Sequence, residues 1–222
     1  MTLETAPGNL KYKWSFLWKN LDDNAQGKIM MDEVATFSVT ESRLADRMSG
    51  ELLSLPGVTY FSKIVDATAC VGGNTISFAK AFKEVVGIEM SEERATMLSN
   101  NIDLVRAEMK RKDKHFAGVK VIIGDSLRVV PTIIDADVIF FDPPWGGVDY
   151  KNQTLCKLSL SGVPMSKFVL DASANCSYVA LKLPMNANLD KITNVPSILR
   201  VVKRVEMCKM QFIVLQGVRK GK

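Results

Sequence analysis

The sequence predicts a doubly wound α/β domain with a seven-stranded sheet, preceded by a small helical lobe. Three observations support this fold class. From Lys63 onward, short runs rich in Val, Ile and Phe alternate with longer amphipathic segments. The first four runs are nearly all apolar, as expected for strands buried on both faces of a parallel sheet. The last two runs are separated by only a few residues and must form an antiparallel hairpin.

The predicted strands and helices alternate along the chain. The strands are Lys63–Ala67, Val85–Glu89, Lys120–Ile123, Asp137–Phe141, Tyr178–Leu183, Leu199–Glu206 and Gln211–Gln216. The helices are Asn74–Phe82, a helix that follows the N-cap Ser91 and runs to about Lys110, and Ser161–Ala174. Crossovers between parallel strands are right-handed, so this alternation predicts a doubly wound α/β sandwich.

Residues 1–50 are predicted to form a helical N-terminal lobe and residues 51–222 the catalytic domain. In the lobe, an apolar stripe falls on one helical face, and its members are Trp14, Leu17, Trp18 and Leu21. We expect the stripe to dock onto the main domain. The alternative is that one of its tryptophans lines a substrate site. The segment "FSVTESRLADRMS" predicts an extended turn, with Thr40 capping a helix over 41–48.

Composition limits the classes of function. The chain has 222 residues, of which 47% are hydrophobic, and a net charge of +5 that mildly favours an anionic partner. Its four cysteines form no CxxC pair, and with a single histidine they offer no metal-ligand spacing. The N-terminus has no apolar signal region, and no apolar run approaches about 18 residues. We therefore expect an intracellular protein with reduced cysteines, no metal and no membrane segment.

Acidic residues end four predicted strands in order. They are Asp66, Glu89, Asp125 in "IIGDS", and Asp142. In a doubly wound fold the ligand binds at the carboxyl ends of the strands. An acid that ends the second strand bonds ribose hydroxyls in other nucleoside-binding sheets. The set therefore predicts a nucleoside-containing ligand.

The loop "VDATACVGGNT" narrows the choice of ligand. Gly72 and Gly73 allow a close approach of backbone to ligand, and the following helix N-terminus favours a carboxylate. A nicotinamide dinucleotide would need a GxGxxG at this turn, which is absent. Seven strands ending in a hairpin resemble the class I (Rossmann-like) S-adenosylmethionine-dependent methyltransferases. The predicted contacts of S-adenosyl-L-methionine are Asp66, Ala67, Gly72, Gly73, Asn74, Thr75, Glu89, Met90, Asp125, Ser126 and Asp142.

The stretch "FDPPWGGVDY" predicts the chemistry. An exocyclic amine of guanine or adenine is a poor nucleophile, because its lone pair is delocalised into the ring. Acceptors for its N–H bonds must aim it at the methyl group, and Asp142 with the Pro143 carbonyl supplies them. Trp145 would stack on the base. The alternative for Trp145 is a buried core residue, and whether Asp142 also takes the proton stays open.

Three segments together resemble the trimethylguanosine synthases, which methylate N2 of 7-methylguanosine caps. They are "GKIMMDEVATFSVTESRLADRM", "VDATACVGGNTISFA" and "FDPPWGGVDY". The resemblance implies that Ser38 and Thr40 contact the cofactor. It implies substrate contacts from Trp145, Pro144, Gly146, Tyr150 and Lys28. The positive charge of 7-methylguanine would add a cation–π term of about 0.5–2 kcal/mol to stacking on an indole.

The chain departs from that family's pattern at four positions. Asp142 stands where serine is common, Val148 where proline is common, and Thr36 where a tryptophan often precedes "FSVT". Met30 replaces an expected lysine, although Lys28 is close by.

The expected partner is 7-methylguanosine-capped RNA, bound by a monomer. We expect it in the nucleus if the protein is cellular, or in the cytoplasm if it is viral. One alternative is an exocyclic-amine methyltransferase acting on guanine or adenine within rRNA, tRNA or DNA. Another is an inactive protein of the same fold that only binds capped RNA.

Overall fold

The computed structural model describes residues 1–2, 8–19, 21–147, 152–189 and 199–218. The chain forms two compact units, Met1–Gly124 and Asp125–Lys222. The division into a helical lobe over residues 1–50 and a catalytic domain over 51–222 stays a prediction. No helix in the described ranges is long and apolar enough to cross a lipid bilayer.

The first unit contains six helices and three strands within its described residues. The helices are α1 Gly8–Leu17, α2 Asp23–Lys28, α3 Glu33–Ser38, α4 Ser42–Leu53, α5 Gly73–Ala81 and α6 Glu92–Arg111. The strands are β1 Lys63–Asp66, β2 Glu84–Glu89 and β3 Gly118–Ile123. Strands β1 and β3 both pair with β2 in parallel, so that Asp66 lies opposite Gly87 and Glu89 opposite Ile123. The carboxyl ends of β1 and β2 therefore lie at the same edge of this unit's sheet.

Side-chain caps fix the short N-terminal helices. The Asp22 carboxylate accepts a hydrogen bond from the Ala25 amide and begins α2, and Asp32 does the same for α3 through the Ala35 amide. The prediction of an extended turn over "FSVT" was wrong for its first half, because the Asp32 cap lets α3 continue through Ser38. The predicted cap at Thr40 was wrong by one residue. The Glu41 carboxylate accepts from the Leu44 amide instead.

The predicted apolar stripe is buried. Its four side chains, Trp14, Leu17, Trp18 and Leu21, are at most 7% exposed. They belong to one core cluster with Val71, Ile76 and the inner face of α6. The docking prediction is confirmed within the first unit. Trp14 and Trp18 are core residues rather than part of a substrate site.

The second unit contains the remaining strands. They are β4 Ala136–Phe141, β5 Ser159–Leu160, β6 Val163–Pro164, β7 Cys176–Pro184, β8 Val201–Met207 and β9 Met210–Gln216. Strand β7 runs parallel to β4 and antiparallel to β9, which forms the predicted hairpin with β8. The helices are α7 Ser126–Val129, a 3-10 turn at Val130–Thr132, and α8 Met165–Ser173.

The predicted helix Ser161–Ala174 begins four residues late. Ser161 and Gly162 both have positive φ, at 47° and 79°, and form the tight turn of the two-residue hairpin β5–β6. Positive φ at both central positions is the requirement of the commonest two-residue hairpin turn. Pro164 then sits at the N-cap, and α8 begins at Met165.

One sheet contains the seven predicted strands, in the order β3-β2-β1-β4-β7-β9-β8. Strands β5 and β6 form a separate small sheet that sequence periodicity did not predict. The predicted fold class, a mostly parallel seven-stranded α/β sheet with a terminal hairpin, is confirmed.

Candidate active site

Asp66 ends β1 and is completely buried. Its Oδ2 accepts a hydrogen bond from Thr75 Oγ1 at 2.7 Å, and its Oδ1 accepts from the Thr68 amide at 3.2 Å. These donors come from the following loop and from the first turn of α5. This carboxylate, which is a predicted cofactor contact, therefore also orders the loop around it.

The two glycines of the loop are also required by the packing of the protein around them. Gly72 has φ of 108° and precedes α5, and a Cβ on it would lie 2.9 Å from Leu98 Cδ1. A Cβ on Gly73 would lie 2.6 Å from Val39 Cγ2 and 2.9 Å from the Thr40 carbonyl oxygen. The absence of a side chain at both positions therefore leaves room for neighbouring residues of the protein itself. At Gly73 this neighbour is the "FSVT" segment, which packs directly on the start of α5.

Two buried polar atoms beside this packing contact lack a protein partner. Thr40 and Asn74 are 3% and 6% exposed, and neither Thr40 Oγ1 nor Asn74 Oδ1 has a hydrogen-bond partner among the described residues. A buried polar atom left unsatisfied costs about 1–3 kcal/mol, so such atoms usually await a ligand or water. They fit the amino-acid end of S-adenosyl-L-methionine, to which a hydroxyl can donate and an amide oxygen can accept.

Other predicted contacts of the first unit differ in exposure. Ala67 and Thr75 are fully buried, whereas Ser38, at the last position of α3, is exposed. Lys28 is exposed at the end of α2. Met90 follows β2 with 63% of its surface exposed, which leaves a flexible apolar side chain available for a flat base.

Glu89 ends β2 and is 8% exposed. Its Oε1 accepts from the Ser91 amide at 2.9 Å and from Arg94 Nε at 3.1 Å, and its Oε2 accepts from the Cys70 amide at 3.0 Å. A carboxylate oxygen accepts about two hydrogen bonds. Oε2 therefore has capacity for a hydroxyl such as the ribose hydroxyl that the sequence predicted.

Cys70 lies next to this carboxylate with a positive φ of 49°. Burial, followed by the charge of Glu89, raises the pKa of its thiol to about 12. The thiol therefore stays protonated at neutral pH and is a poor nucleophile there.

Sequence reasoning missed two polar links between the N-terminal segment and the strand ends. Arg94 joins Glu89 to Asp32, with a distance of 3.3 Å between Arg94 Nη1 and Asp32 Oδ2. Since Asp32 caps α3, this arginine ties the segment that ends in Thr40 to the predicted ribose acceptor. An arginine three residues after a helix N-cap is ordinary in sequence, so no local signal marked it.

The second link is Asn101, which is completely buried in α6. Its Nδ2 donates to the carbonyl oxygens of Met30 at 2.8 Å and Val71 at 2.9 Å, and its Oδ1 accepts from the Met30 amide at 2.8 Å. An asparagine on the apolar face of an amphipathic helix was the available signal. Met30, where the resemblance expected a lysine, is therefore held through its backbone.

Asp125 and Ser126 belong to the second unit. Asp125 Oδ1 accepts from the Leu127 amide at 2.9 Å and caps α7, and Ser126 is buried at the first helical position. A helix cap accounts for one carboxylate oxygen. The predicted adenine contact of Asp125 stays a prediction.

An unpredicted lysine on the neighbouring strand β7 reaches the end of β4. Lys182 of β7 places its Nζ 2.5 Å from Asp142 Oδ2, and the two side chains are only 6% and 11% exposed. The same Nζ lies 5.2 Å from the centroid of the Trp145 ring. The single charged residue in the otherwise apolar run "YVALKLP" was the sequence signal for it.

The residues around Trp145 vary in exposure. Pro143 is buried, Pro144 is exposed, and the indole of Trp145 is half-buried, unlike the wholly buried Trp14. Gly146 is exposed with φ of 88°, a conformation in which a side chain would be strained. Tyr150, a predicted substrate contact, lies outside the described residues.

The comparisons with known proteins decide the family. The family described as RNA cap guanine-N2 methyltransferase matches residues 61–221. This chain belongs to the RNA cap guanine-N2 methyltransferase family. The resemblance predicted from three motifs is thereby confirmed.

Individual relatives of this chain agree with the family assignment. Trimethylguanosine synthase of Schizosaccharomyces pombe is 27% identical over 198 residues, which cover 87% of this chain and 78% of the relative. The enzyme of the same name from Saccharomyces cerevisiae is 27% identical, over 92% of this chain and 64% of the relative. An uncharacterized protein of Acanthamoeba polyphaga mimivirus is 34% identical over 57% of this chain, which spans about half of that protein's length.

Solved structures share the fold of this cap methyltransferase family member. A candidate methyltransferase from Porphyromonas gingivalis aligns with a TM-score of 0.64 and 17% identity, over 98% of this chain and 52% of the other. A candidate RNA methyltransferase from Pyrococcus horikoshii aligns with a TM-score of 0.54 and 18% identity, over 81% and 85% of the two chains. At these identities the likeness concerns the fold alone. Among the described residues, no cluster of three potential metal ligands exists.

Proposed function

We propose that this chain transfers a methyl group from S-adenosyl-L-methionine to the exocyclic N2 amine of a 7-methylguanosine RNA cap. The observation that carries the proposal is the grouping at the end of β4, in a chain of this family. A carboxylate, Asp142, and a half-buried indole, Trp145, both lie within reach of the buried Lys182 Nζ. The products would be 2,7-dimethylguanosine caps and, after a second transfer, 2,2,7-trimethylguanosine caps.

The first unit would hold the cofactor. S-adenosyl-L-methionine, when bound, supplies a methyl group on a positively charged sulfur. Thr40 Oγ1 and Asn74 Oδ1 would satisfy their hydrogen bonds on its amino-acid end, near the carboxylate of Asp66. Glu89 Oε2 would accept from a ribose hydroxyl, and the exposed Met90 would contact the base. The predicted cofactor contacts of Ser38, Asp125 and Ser126 are part of the same proposal.

The second unit would hold the base. The amine lone pair is delocalised into the guanine ring, so acceptors on its N–H bonds are needed to aim it. Asp142 and the Pro143 carbonyl would provide these acceptors, which contribute through orientation and electrostatics rather than through a covalent intermediate. Trp145 would stack on the ring. A cation–π term of about 0.5–2 kcal/mol favours the positively charged 7-methylguanine over neutral guanine.

Several finer points belong to the same proposal. Lys28, at the basic end of α2, and Tyr150 would contact the cap, and the protein would act as a monomer on capped RNA. The reaction would take place in the nucleus of a cellular host or in the cytoplasm for a viral protein. Asp142 would accept a hydrogen bond from the amine, whether or not it takes the proton after methyl transfer.

The experiment is mass analysis of 7-methylguanosine triphosphate after incubation with enzyme and cofactor, with GTP and unmodified RNA in parallel. We expect one or two added methyl groups on the 7-methylated nucleotide alone. Trp145→Ala should lower kcat/KM by roughly 5- to 150-fold, because stacking contributes about 1–3 kcal/mol per base. Trp145→Phe should retain part of the activity.

Two results would contradict the proposal. Methylation of unmodified RNA or GTP as fast as of the 7-methylated nucleotide would favour an amine methyltransferase with another substrate. Equal loss of cofactor binding and of folding in Trp145→Ala would assign the indole to the core instead. Cofactor binding is measured by calorimetry and folding by circular dichroism.

A further inference from the structure

We propose that Lys182 is a positioning residue that forms an ion pair of zero net charge with Asp142, and that this pair allows Trp145 to accept a positively charged base. The inference rests on the proposed function and deepens it. It names a determinant of the preference for a base already methylated at N7. The three side chains all belong to the second unit.

The geometry identifies Lys182 as part of this site. Its side chain is 6% exposed although it carries a charge, and it lies on β7 between the fully buried Leu181 and Leu183. A lysine is almost never this buried unless it is paired. Its Nζ reaches Asp142 Oδ2 at 2.5 Å, and its place in β7 is opposite the buried Phe212 of β9. The sheet therefore fixes the ammonium group rather than leaving it to a flexible surface side chain.

The Lys182–Asp142 pair also explains how an aspartate can occupy position 142, where serine is common in this family. Burying a charged carboxylate costs free energy unless the carboxylate is paired and hydrogen-bonded. Lys182 provides such a partner for Asp142, and it fixes the orientation of the carboxylate through Oδ2. A charged, oriented carboxylate is a stronger acceptor for an amine N–H than a neutral acid. The lysine thus compensates for the change at position 142.

The same geometry has a consequence for the charge of the base. Lys182 Nζ lies 5.2 Å from the Trp145 centroid, on one face of the ring. A base stacked on the other face would lie roughly 9–10 Å from Nζ. At an effective dielectric constant of about 20, a lone positive charge there would weaken binding of a cationic base roughly 20-fold. Asp142 cancels that repulsion, so the intact pair leaves the cation–π preference of the indole in effect.

The test compares dissociation constants of 7-methylguanosine triphosphate and GTP. Quenching of Trp145 fluorescence reports binding, because Trp14 and Trp18 are buried in the first unit's core. The variants are D142S, K182M, the double variant D142S/K182M and K182R, whose guanidinium keeps the charge.

The quantity compared among the variants is the preference, which is the dissociation constant of GTP divided by that of 7-methylguanosine triphosphate. The two single variants and the double variant form a double-mutant cycle. D142S leaves Lys182 unpaired, so the preference for the 7-methylated nucleotide should fall roughly 20-fold. D142S/K182M removes both charges, so the preference should return to within about threefold of wild type. K182R should keep the wild-type preference. K182M should lower kcat at least about 10-fold, because the Asp142 carboxylate loses the ammonium group that orients it.

The cycle separates this role from a structural one. A loss of packing would weaken both nucleotides alike and leave their ratio unchanged. The inference is overturned if D142S and D142S/K182M show the same ratio within about twofold while wild type methylates the 7-methylated nucleotide. If wild type neither methylates nor prefers that nucleotide, the proposed function fails, and the inference falls with it.

Discussion

Gly73→Ala tests the packing of the "FSVT" segment on the glycine loop that precedes α5. A methyl group at position 73 would lie 2.6 Å from Val39 Cγ2, 2.9 Å from the Thr40 carbonyl oxygen and 3.0 Å from the Thr40 amide nitrogen. Carbon atoms in contact prefer about 3.5–4.0 Å. Rotation of the valine can relieve the first contact. The Thr40 backbone can yield only by moving the segment.

The magnitude follows from two opposing terms. An extra methyl group in a packed site costs about 1–3 kcal/mol, while alanine gains about 0.5–1 kcal/mol over glycine in a helix. We expect a net loss of about 1–2 kcal/mol in the free energy of unfolding. Gly50→Ala in α4 is the matched control, because nothing lies within 4 Å of its added methyl. That variant should gain about 0.5–1 kcal/mol.

Urea unfolding of both variants measures these free energies, and calorimetry measures S-adenosyl-L-methionine binding. Displacement of Thr40 should weaken cofactor binding in Gly73→Ala, whereas Gly50→Ala should bind as wild type does. The reasoning is refuted if Gly73→Ala is as stable as wild type and binds the cofactor equally well. That outcome would mean that the segment does not rest on the start of α5.

Two further outcomes are expected. Asn101→Ala leaves the Met30 backbone and the Val71 carbonyl without a partner and should lower the free energy of unfolding by about 3–5 kcal/mol. Asn100→Ala, which loses only bonds of 3.2 and 3.4 Å, should cost under about 1 kcal/mol in the same urea titration. The pKa of Cys70 is raised to about 12, so at pH 8 iodoacetamide should modify it far more slowly than the exposed Cys208. Peptide mass mapping over time checks this, and equal rates would contradict the burial of the Cys70 thiol.

Local patterns predicted most of the fold and the acidic strand ends. Hydrophobic periodicity and apolar runs depend only on residues that are close together in the sequence, so they can be read from it directly. In a doubly wound fold the carboxyl ends of the parallel strands lie at one edge of the sheet. Hence the positions of Asp66 and Glu89 at that edge follow from the amino-acid sequence alone. The cap of α4 was displaced from Thr40 to Glu41 because two adjacent polar residues can each begin a helix, and sequence alone does not rank them.

The residues that were missed have distant partners. Lys182 is 40 residues from Asp142, Arg94 is 62 residues from Asp32, and Asn101 is 71 residues from Met30. A single lysine, arginine or asparagine has no periodic signal, and its partner is set by tertiary packing. The sequence could show only that Lys182 and Asn101 break apolar patterns.

The N-terminal helices are a structural part of the first unit's site. Three independent contacts hold residues 30–40 against the loop and strand ends: the Gly73 packing, the Arg94 bridge to Asp32, and the Asn101 bonds to Met30. The tryptophan stripe before them lies in the same core as Val71 and α6. The buried Thr40 hydroxyl is therefore fixed by elements on both sides of it in sequence. Each of these three contacts ends at the glycine loop, at Glu89 or in α6. Weakening any one of them should therefore disturb the proposed cofactor contacts before it disturbs the sheet.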